Sequence, residues 1–453
     1  MTYASPGALR AQGLAPILDR DADPSIEASP LPVPPEDAAL EPRARVPRPR
    51  PRKRFIALIA LIMSLNALAI DVMLPAFPAI AEAMGVTGGN GVQLVITVYM
   101  AGFGIGQLVV GPLSDRFGRR APLLLGIGLY VLAALGAGLA PSFGALLGLR
   151  FVQGLGAAST RVVAQAVVRD RYEGAAMAEV MSLAFMVFMV VPVLAPTIGE
   201  AILWVAPWPG IFAFMGALAL AVGVWSWAAL PETLDPANRR PLTAGSILGG
   251  FRLVAGHREA VLYAVAATFL FGALVGFIST AQQIYVDIYG LGSWFPAAFA
   301  GVAALMAVSA WLNARLVRRL GMRRLAHGAL IVYAGLALLL LVLSLLWGGR
   351  PPLPVFLAGL SGIMFMFGWA ASNMNALSLQ PMGAVAGTAS SVFGAASTVA
   401  GAALGGIVGS RFDGTVVPTV AGYALFGALA LLCVLIAERG RLFGRDEGRP
   451  HPS

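Results

Sequence analysis

Of 453 residues, 58% are hydrophobic, 12% are charged and one is cysteine, which excludes a water-soluble globular domain and, within one chain, a disulfide framework or a cysteine metal site. A formal charge of +9 would raise nucleic-acid binding in a soluble protein; in a chain this apolar it reflects membrane topology and contact with anionic lipid. No HExxH, GxSxG or GxxxxGK[ST] stretch occurs, and His257, His327 and His451 belong to no such motif, so no catalytic residue, metal or cofactor is expected.

The first 52 residues hold eleven prolines, and the basic run "RARVPRPRPRKR" spans their end. So few large apolar side chains cannot build a core, and a disordered cytoplasmic tail with no signal peptide is expected. Twelve apolar segments follow, near 55–78, 91–113, 122–140, 143–168, 177–201, 210–230, 259–284, 293–314, 325–347, 352–376, 383–409 and 417–437. Each can cross about 30 Å of hydrocarbon as a helix. A lipid-exposed backbone must satisfy its own hydrogen bonds and no alternating barrel strands occur, so the predicted class is an all-α polytopic membrane protein.

In span one, Asp71 is a carboxyl within an apolar run, placed roughly 10 Å inside the far end at about 1.5 Å per residue. The same arithmetic brings Tyr99 in span two and Arg150 in span four to that level. A charge inside the membrane is costly and is by default functional. The protonation of an acid beside an arginine is open to switching when the arginine moves or a substrate enters, which is proton coupling in outline. Span two ends on "GPLSDRFGRR", where Gly111 and Gly118 permit a close helix approach and a tight turn, and Arg116, Arg119 and Arg120 hold the loop at the cytoplasmic surface. Asp115 is the odd member, a carboxylate suited to a nearby helix N-terminus.

Along span four, Arg150, Gly154, Ala157 and Arg161 share a face flanked by Gln153 and Gln165, a pattern of small and polar residues that points to a wet cavity; Arg161 is also near enough to the inner end to snorkel. Pro192, Pro196 and Gly199 in span five weaken the backbone ladder and predict a bend, while Glu200 reads as solvated. In the second half, Asn373 and Asn375 of span ten are candidates to line a cavity, and the small residues of span eleven predict close packing.

Residues 231–258 form the one long loop and divide the chain six plus six: a tail at 1–52, a bundle at 53–230, the loop, a second bundle at 259–440 and a tail at 441–453. "GPLSDRFGRR" has a degraded echo, "ARLVRRLGMR", 203 residues later, as expected of two pseudo-symmetric six-helix bundles rocking about a central site. Of 31 basic residues only Arg350 and Arg411 fall in loops on the far side, so the positive-inside rule sets both termini in the cytoplasm.

These residues resemble the major facilitator superfamily, and within it the drug:proton antiporters of the bicyclomycin and chloramphenicol resistance type, over nearly the whole chain after residue 54. Gly111, Leu113, Asp115, Arg116, Gly118, Arg119 and Arg120 match its pattern GxLxDRxGRR. "AIDVMLPAFPAIA", "RFVQGLGAAS", "PVLAPTIGE" and "AGTASSVFG" are similar to the antiporter branch, although Ala195 and Glu200 stand where a strict GPxxGG would have glycines. The resemblance implies proton coupling at Asp71 and Arg150, and a conformational latch in which Asp115 faces the start of helix eleven near Gly383 and Arg119 reaches Asp170. It also implies that Met63, in place of a second acid, favours neutral or weakly charged cargo. In the second copy Arg318 replaces the acid, a departure from the pattern of the first.

The expectation is a monomeric transporter of the bacterial inner membrane that exports small, largely apolar compounds in exchange for protons, with Tyr99, Gln153 and Asn373 lining its cavity. An uptake symporter and a non-transporting sensor or scaffold are the alternatives.

Overall fold

A computed structural model describes residues 53–86, 91–172, 174–236, 239 and 255–443. The expected N-terminal tail, most of the central loop and most of the C-terminal tail lie outside the described residues, as do the side chain of Arg318 and the surroundings of Gly383. Twelve long helices account for the body: α1 (Lys53–Asp71), α2 (Leu94–Phe117), α3 (Arg120–Gly138), α4 (Phe143–Arg171), α5 (Gly174–Val205), α6 (Pro209–Ala229), α7 (Arg258–Gln282), α8 (Phe295–Leu320), α9 (Met322–Leu346), α10 (Leu353–Leu379), α11 (Ala386–Ser410) and α12 (Val417–Ala437). Ten are long and apolar enough to cross a membrane. Of the other two, α5 is apolar along Val190–Val205, and α4 has its hydropathy lowered by Arg150, Gln153, Arg161 and Gln165.

Helix packing obeys the six-plus-six division. In the first half α1 packs on α4, α5 and α6, α2 on α4, and α3 on α4 and α6. Adding six to each number gives the second half: α7 on α10, α11 and α12, α8 on α10, and α9 on α10 and α12. The halves meet where α2 packs on α11 and α5 on α8, which are also exchanged by that symmetry. Gly118 (φ +93°) precedes α3 and Gly321 (φ +81°) precedes α9, 203 positions apart, and both occupy the left-handed region that glycine adopts without strain. The echo in sequence is therefore a repeated turn.

Span one departs from the uninterrupted helix expected over 55–78. α1 stops at Asp71, and a 3-10 turn (Leu74–Ala76) and a short helix (Phe77–Ala83) carry the chain on. Pro75 and Pro78 cause the interruption: each sits in the first turn of a new segment, where its missing N–H costs nothing, and neither can continue the preceding helix.

Close approach between α2 and α4 depends on glycine. A Cβ on Gly154 would lie 2.0 Å from the Tyr99 carbonyl oxygen, and one on Gly102 would lie 2.1 Å from that of Phe151, so both backbones touch where the polar residues of α4 begin. The predicted bend in α5 is not marked by a break, since the helix runs through Pro192 and Pro196.

Candidate functional site

Arg150 is fully buried and Asp71 is 3% exposed. The guanidinium donates from Nε to the Val95 carbonyl (3.3 Å), from one terminal nitrogen to Gln153 Oε1 (2.7 Å) and from the other to the Ala69 carbonyl (3.0 Å). It stacks 4.3 Å above the Tyr99 ring, with Phe212 of α6 at 5.9 Å. Tyr99 in turn donates to Asn66 Oδ1 of α1 (2.9 Å). The side chains of α1, α2, α4 and α6 thus converge at the level anticipated for Asp71, Tyr99 and Arg150.

Arg150 and Asp71 nevertheless form no ion pair. Arg150 bonds to the last turn of α1 through the Ala69 carbonyl, two residues short of Asp71, while Asp71 Oδ1 is buried with no hydrogen-bond partner. A lone ionised carboxylate in such a place costs several kcal/mol or more; a neutral carboxylic acid costs far less. The α1 interruption explains the separation, because Asp71 ends the helix and its side chain leaves from the turn. Tyr99 and Gln153 are fully buried and hold Arg150, so neither reaches open space in this conformation. Asn373 lies in the other half, donating to Asn313 Oδ1 of α8 (2.7 Å) and to the Trp369 carbonyl (2.8 Å).

A second cluster gathers at the basic end of the bundle. Arg119 bonds to Asp115 (2.6 Å) and Asp170 (2.8 Å); burial opposes its charge, and the two carboxylates outweigh that and raise its pKa above the ordinary arginine value. Ser114 Oγ accepts from Arg119 (2.9 Å), and Thr233 donates to Asp170 (3.0 Å). Arg120 donates to the Trp227 carbonyl (2.5 Å), and Arg116 lies over the Phe117 ring (5.6 Å). Glu232, singled out by no motif, accepts the backbone N–H groups of Arg119 (2.8 Å), Arg120 (3.2 Å), Thr233 (2.9 Å) and Leu234 (3.0 Å). Partial burial pushes its carboxyl up, but the four donors prevail and hold it below the usual range. The side-chain partners of Arg119, which are Ser114, Asp115 and Asp170, all lie in the first half, so among the described residues this cluster does not bridge to α11; the Cβ position of Gly111 lies 4.0 Å from Ser391 Oγ of α11.

The second half carries a counterpart built differently from the first. Arg323 bonds to Glu259 (2.5 Å) and Glu438 (2.8 Å). Tyr263 donates to Glu438 (2.6 Å) and its hydroxyl meets His327 Nε2 (2.8 Å). The carboxylates that pair with Arg323 come from the ends of α7 and α12, which a comparison of the two loops alone could not reveal.

At the opposite end the halves are bonded together. Gln93, at the start of α2, donates to Gln283, just after α7, and a Cβ on Gly409 of α11 would strike the Gln93 side chain. Midway, Gln107 of α2 donates to Thr398 of α11 (3.2 Å). No motif marks these residues.

Residues 59–406 match the family model of the Major Facilitator Superfamily. The chain is 31% identical over 385 residues to a bicyclomycin resistance protein homolog of Haemophilus influenzae, covering 84% of this chain and 94% of that one. A chloramphenicol resistance protein of Pseudomonas aeruginosa is 33% identical over 342 residues, 73% of this chain and 77% of that one. Among solved structures, a bacterial homolog of the human lysosomal transporter Spinster shares the fold, with a TM-score of 0.63 at 16% identity over 85% of this chain and 95% of that one. Twelve helices in two matching sixes, the "GPLSDRFGRR" turn that builds the Arg119 cluster and these likenesses have one meaning: the chain belongs to the Major Facilitator Superfamily, in its bicyclomycin and chloramphenicol resistance branch, and is a multi-pass membrane transporter of small molecules, not an enzyme.

Proposed function

We propose that this protein exports small, largely apolar compounds, antibiotics among them, across the bacterial inner membrane in exchange for protons, as a monomer and with no cofactor. The arginine-rich face bearing Arg119 is the cytoplasmic one, in keeping with the positive-inside rule. The drug-resistance names of the relatives support the cargo class. One observation carries the proton coupling: Asp71 is buried, unpartnered at Oδ1 and set in a helix interruption two residues from a carbonyl that Arg150 grips. In this conformation, sealed at the far face by Gln93 and Gln283, Asp71 carries a proton. Cargo entering from the cytoplasm, or a shift of Arg150 along the α1 turn toward the carboxyl, releases that proton inward. Reversal of the two halves then presents cargo and Asp71 to the far side, where reprotonation resets the cycle, and the Arg119–Asp115–Asp170 cluster closes against α11 as a latch. Tyr99, Gln153 and Asn373 meet the cargo only after this rearrangement opens their surroundings.

One proton per cycle suffices: about 2.3 kcal/mol per charge per 100 mV sustains roughly a fifty-fold gradient of a neutral solute.

Everted membrane vesicles test the proposal. Addition of a transported compound to acidified vesicles should release protons with the natural chain and not with Asp71→Asn, at equal folded yield. Unchanged exchange in Asp71→Asn would overturn the assignment, and proton movement in the same direction as the compound would identify a symporter.

A further inference from the structure

Two cavities open beside the start of α7, one polar and one apolar. The polar cavity, of about 320 Å³ at the basic end of the bundle, is lined by Arg258, Glu259, Ala437, Glu438 and Arg439. Its two carboxylates are already engaged: Arg323 bonds to Glu259 (2.5 Å) and Glu438 (2.8 Å), and Tyr263 donates to Glu438 (2.6 Å). The two lining arginines have hydrogen-bonding capacity left. Arg258 donates from one terminal nitrogen to the Ile436 carbonyl (3.3 Å), and the Arg439 side chain has no partner among the described residues. Arg439 is also held under strain. Its φ of +51° is one that arginine seldom adopts, and Gly440 follows at +79°. Strained backbone persists where its surroundings hold it, and it gathers at binding sites.

The apolar cavity, of about 220 Å³, lies between α7 and α11. Val261, Val265 and Thr268 line it from α7, and Phe393, Ala396 and Ser397 line it from α11. Thr268 donates to the Ala264 carbonyl (2.8 Å) and Ser397 bonds to Thr268 (2.7 Å), so the hydroxyls are satisfied and the walls present apolar surface. Arg258, Val261, Val265 and Thr268 stand at i, i+3, i+7 and i+10 on one face of α7. A guanidinium of the first cavity therefore heads the strip of helix that walls the second, and the strip is about 15 Å long.

The other side of the polar cavity leads to lipid as well. On α12, Leu425, Leu432 and Ile436 are exposed at i, i+7 and i+11, a stripe that faces hydrocarbon and ends where Ala437 and Glu438 line the cavity. A small anion in water would be matched by the arginines alone. Arginines at the head of a lipid-facing stripe and of an apolar cavity are matched by a molecule that carries both a phosphate and acyl chains.

We propose that the two cavities form a site for an anionic phospholipid, its phosphate held by Arg258 and Arg439 and one acyl chain lodged between α7 and α11. The lipid ties α7 to α11 and α12 within the second half. The site is independent of cargo and of proton coupling, because neither Asp71 nor Arg150 takes part in it.

The test uses the purified full-length chain in a neutral detergent, with phosphatidylglycerol, phosphatidylcholine and inorganic phosphate as probes. Native mass spectrometry counts bound lipid, and thermal unfolding follows stabilisation. The natural chain should retain phosphatidylglycerol at least about tenfold more strongly than phosphatidylcholine and should unfold at least roughly 2 °C higher with it. Arg258→Gln combined with Arg439→Gln should bring the two lipids level. Ala396→Phe, which fills the apolar cavity, should weaken retention of both, and Arg169→Gln, at an exposed arginine of α4, should leave the preference intact. Equal retention of the two lipids by the natural chain, or equal loss of preference in Arg169→Gln and the double variant, would reduce the effect to the attraction of a basic face and overturn the site. Natural retention by Ala396→Phe would overturn the placement of the acyl chain. Inorganic phosphate alone should give no rise in unfolding temperature; a rise equal to that with phosphatidylglycerol would make the occupant a free anion and overturn the lipid assignment. The comparison of the three probes on the natural chain decides the matter even if a variant fails to fold.

Discussion

The carbonyl oxygen of Val72 occupies the place where a side chain on Gly199 would begin, 2.0 Å from an ideal Cβ. α5 is thereby pressed onto the first residue after Asp71, in the turn that interrupts the first span. The small residue in the proline-containing stretch of α5 thus fixes the position of the carboxyl. Gly199→Ala forces a backbone shift, because the atom struck is a carbonyl and not a flexible side-chain end. We expect a stability loss of about 1–3 kcal/mol and a fall in exchange of roughly tenfold for each 1.4 kcal/mol by which the turn is biased away from its working geometry. Thermal unfolding in detergent and vesicle exchange measure the two; a variant with natural exchange would show that the turn position does not matter.

Arg150→Lys keeps the charge and removes the fork. A lysine ammonium cannot reach the Val95 carbonyl, the Ala69 carbonyl and Gln153 together while lying over the Tyr99 ring, and each buried acceptor left unmade costs about 1–3 kcal/mol. Transport should be abolished and the melting temperature lowered, whereas Arg116→Lys, at an exposed arginine, should leave both near the natural values. Equal behaviour of the two variants would mean that charge alone is what α4 needs.

The sequence made the twelve spans legible because hydropathy is local, and the Arg119–Asp170 pair legible because the "GPLSDRFGRR" motif comes with a partner. The interruption after Asp71 was less visible, although Pro75 and Pro78 stand in plain view, because a twenty-residue apolar run averages over two prolines. Glu232 and Glu438 were missed for another reason. Each closes onto an arginine more than a hundred positions away, at the end of a bundle whose register the sequence does not state. The Gln93–Gln283 bond joins the two halves, and two polar residues at helix ends carry no periodicity by which to be found.

Glu232 caps the start of α3 from the far end of α6, and its four N–H donors hold the carboxyl below the ordinary glutamate range. With the folded value depressed, the stabilisation is present above the unfolded pKa of about 4.3 and is lost as pH falls through the folded value. Glu232→Gln should therefore lower stability by about 0.5–2 kcal/mol near neutral pH, as loss of a helix cap does, toward the low end because the side chain is exposed. The gap between variant and natural chain should narrow below about pH 4. Unfolding curves from pH 3 to pH 7 (about one point per unit, spanning the carboxylate range) check this; a gap independent of pH would mean that the carboxylate's charge plays no part.

Gln93 and Gln283 lie at the end of the bundle opposite Arg119 and tie α2 of one half to the segment after α7 of the other. If the halves rock, this contact must part once in every cycle, since the same α2 carries Asp115 at its other end. Cysteines at both positions, in a chain whose natural Cys433 is replaced by serine, should be joined by a short cleavable thiol cross-linker. Exchange should then stop, and cleavage of the linker should restore it, while either single cysteine treated in the same way should remain active. The joined protein should still bind cargo from the Arg119 side, because the bond seals only the opposite end. Continued exchange with the cross-link in place would mean that the two ends of α2 do not alternate, and the rocking of one half against the other would have to be replaced by a motion that leaves this end closed.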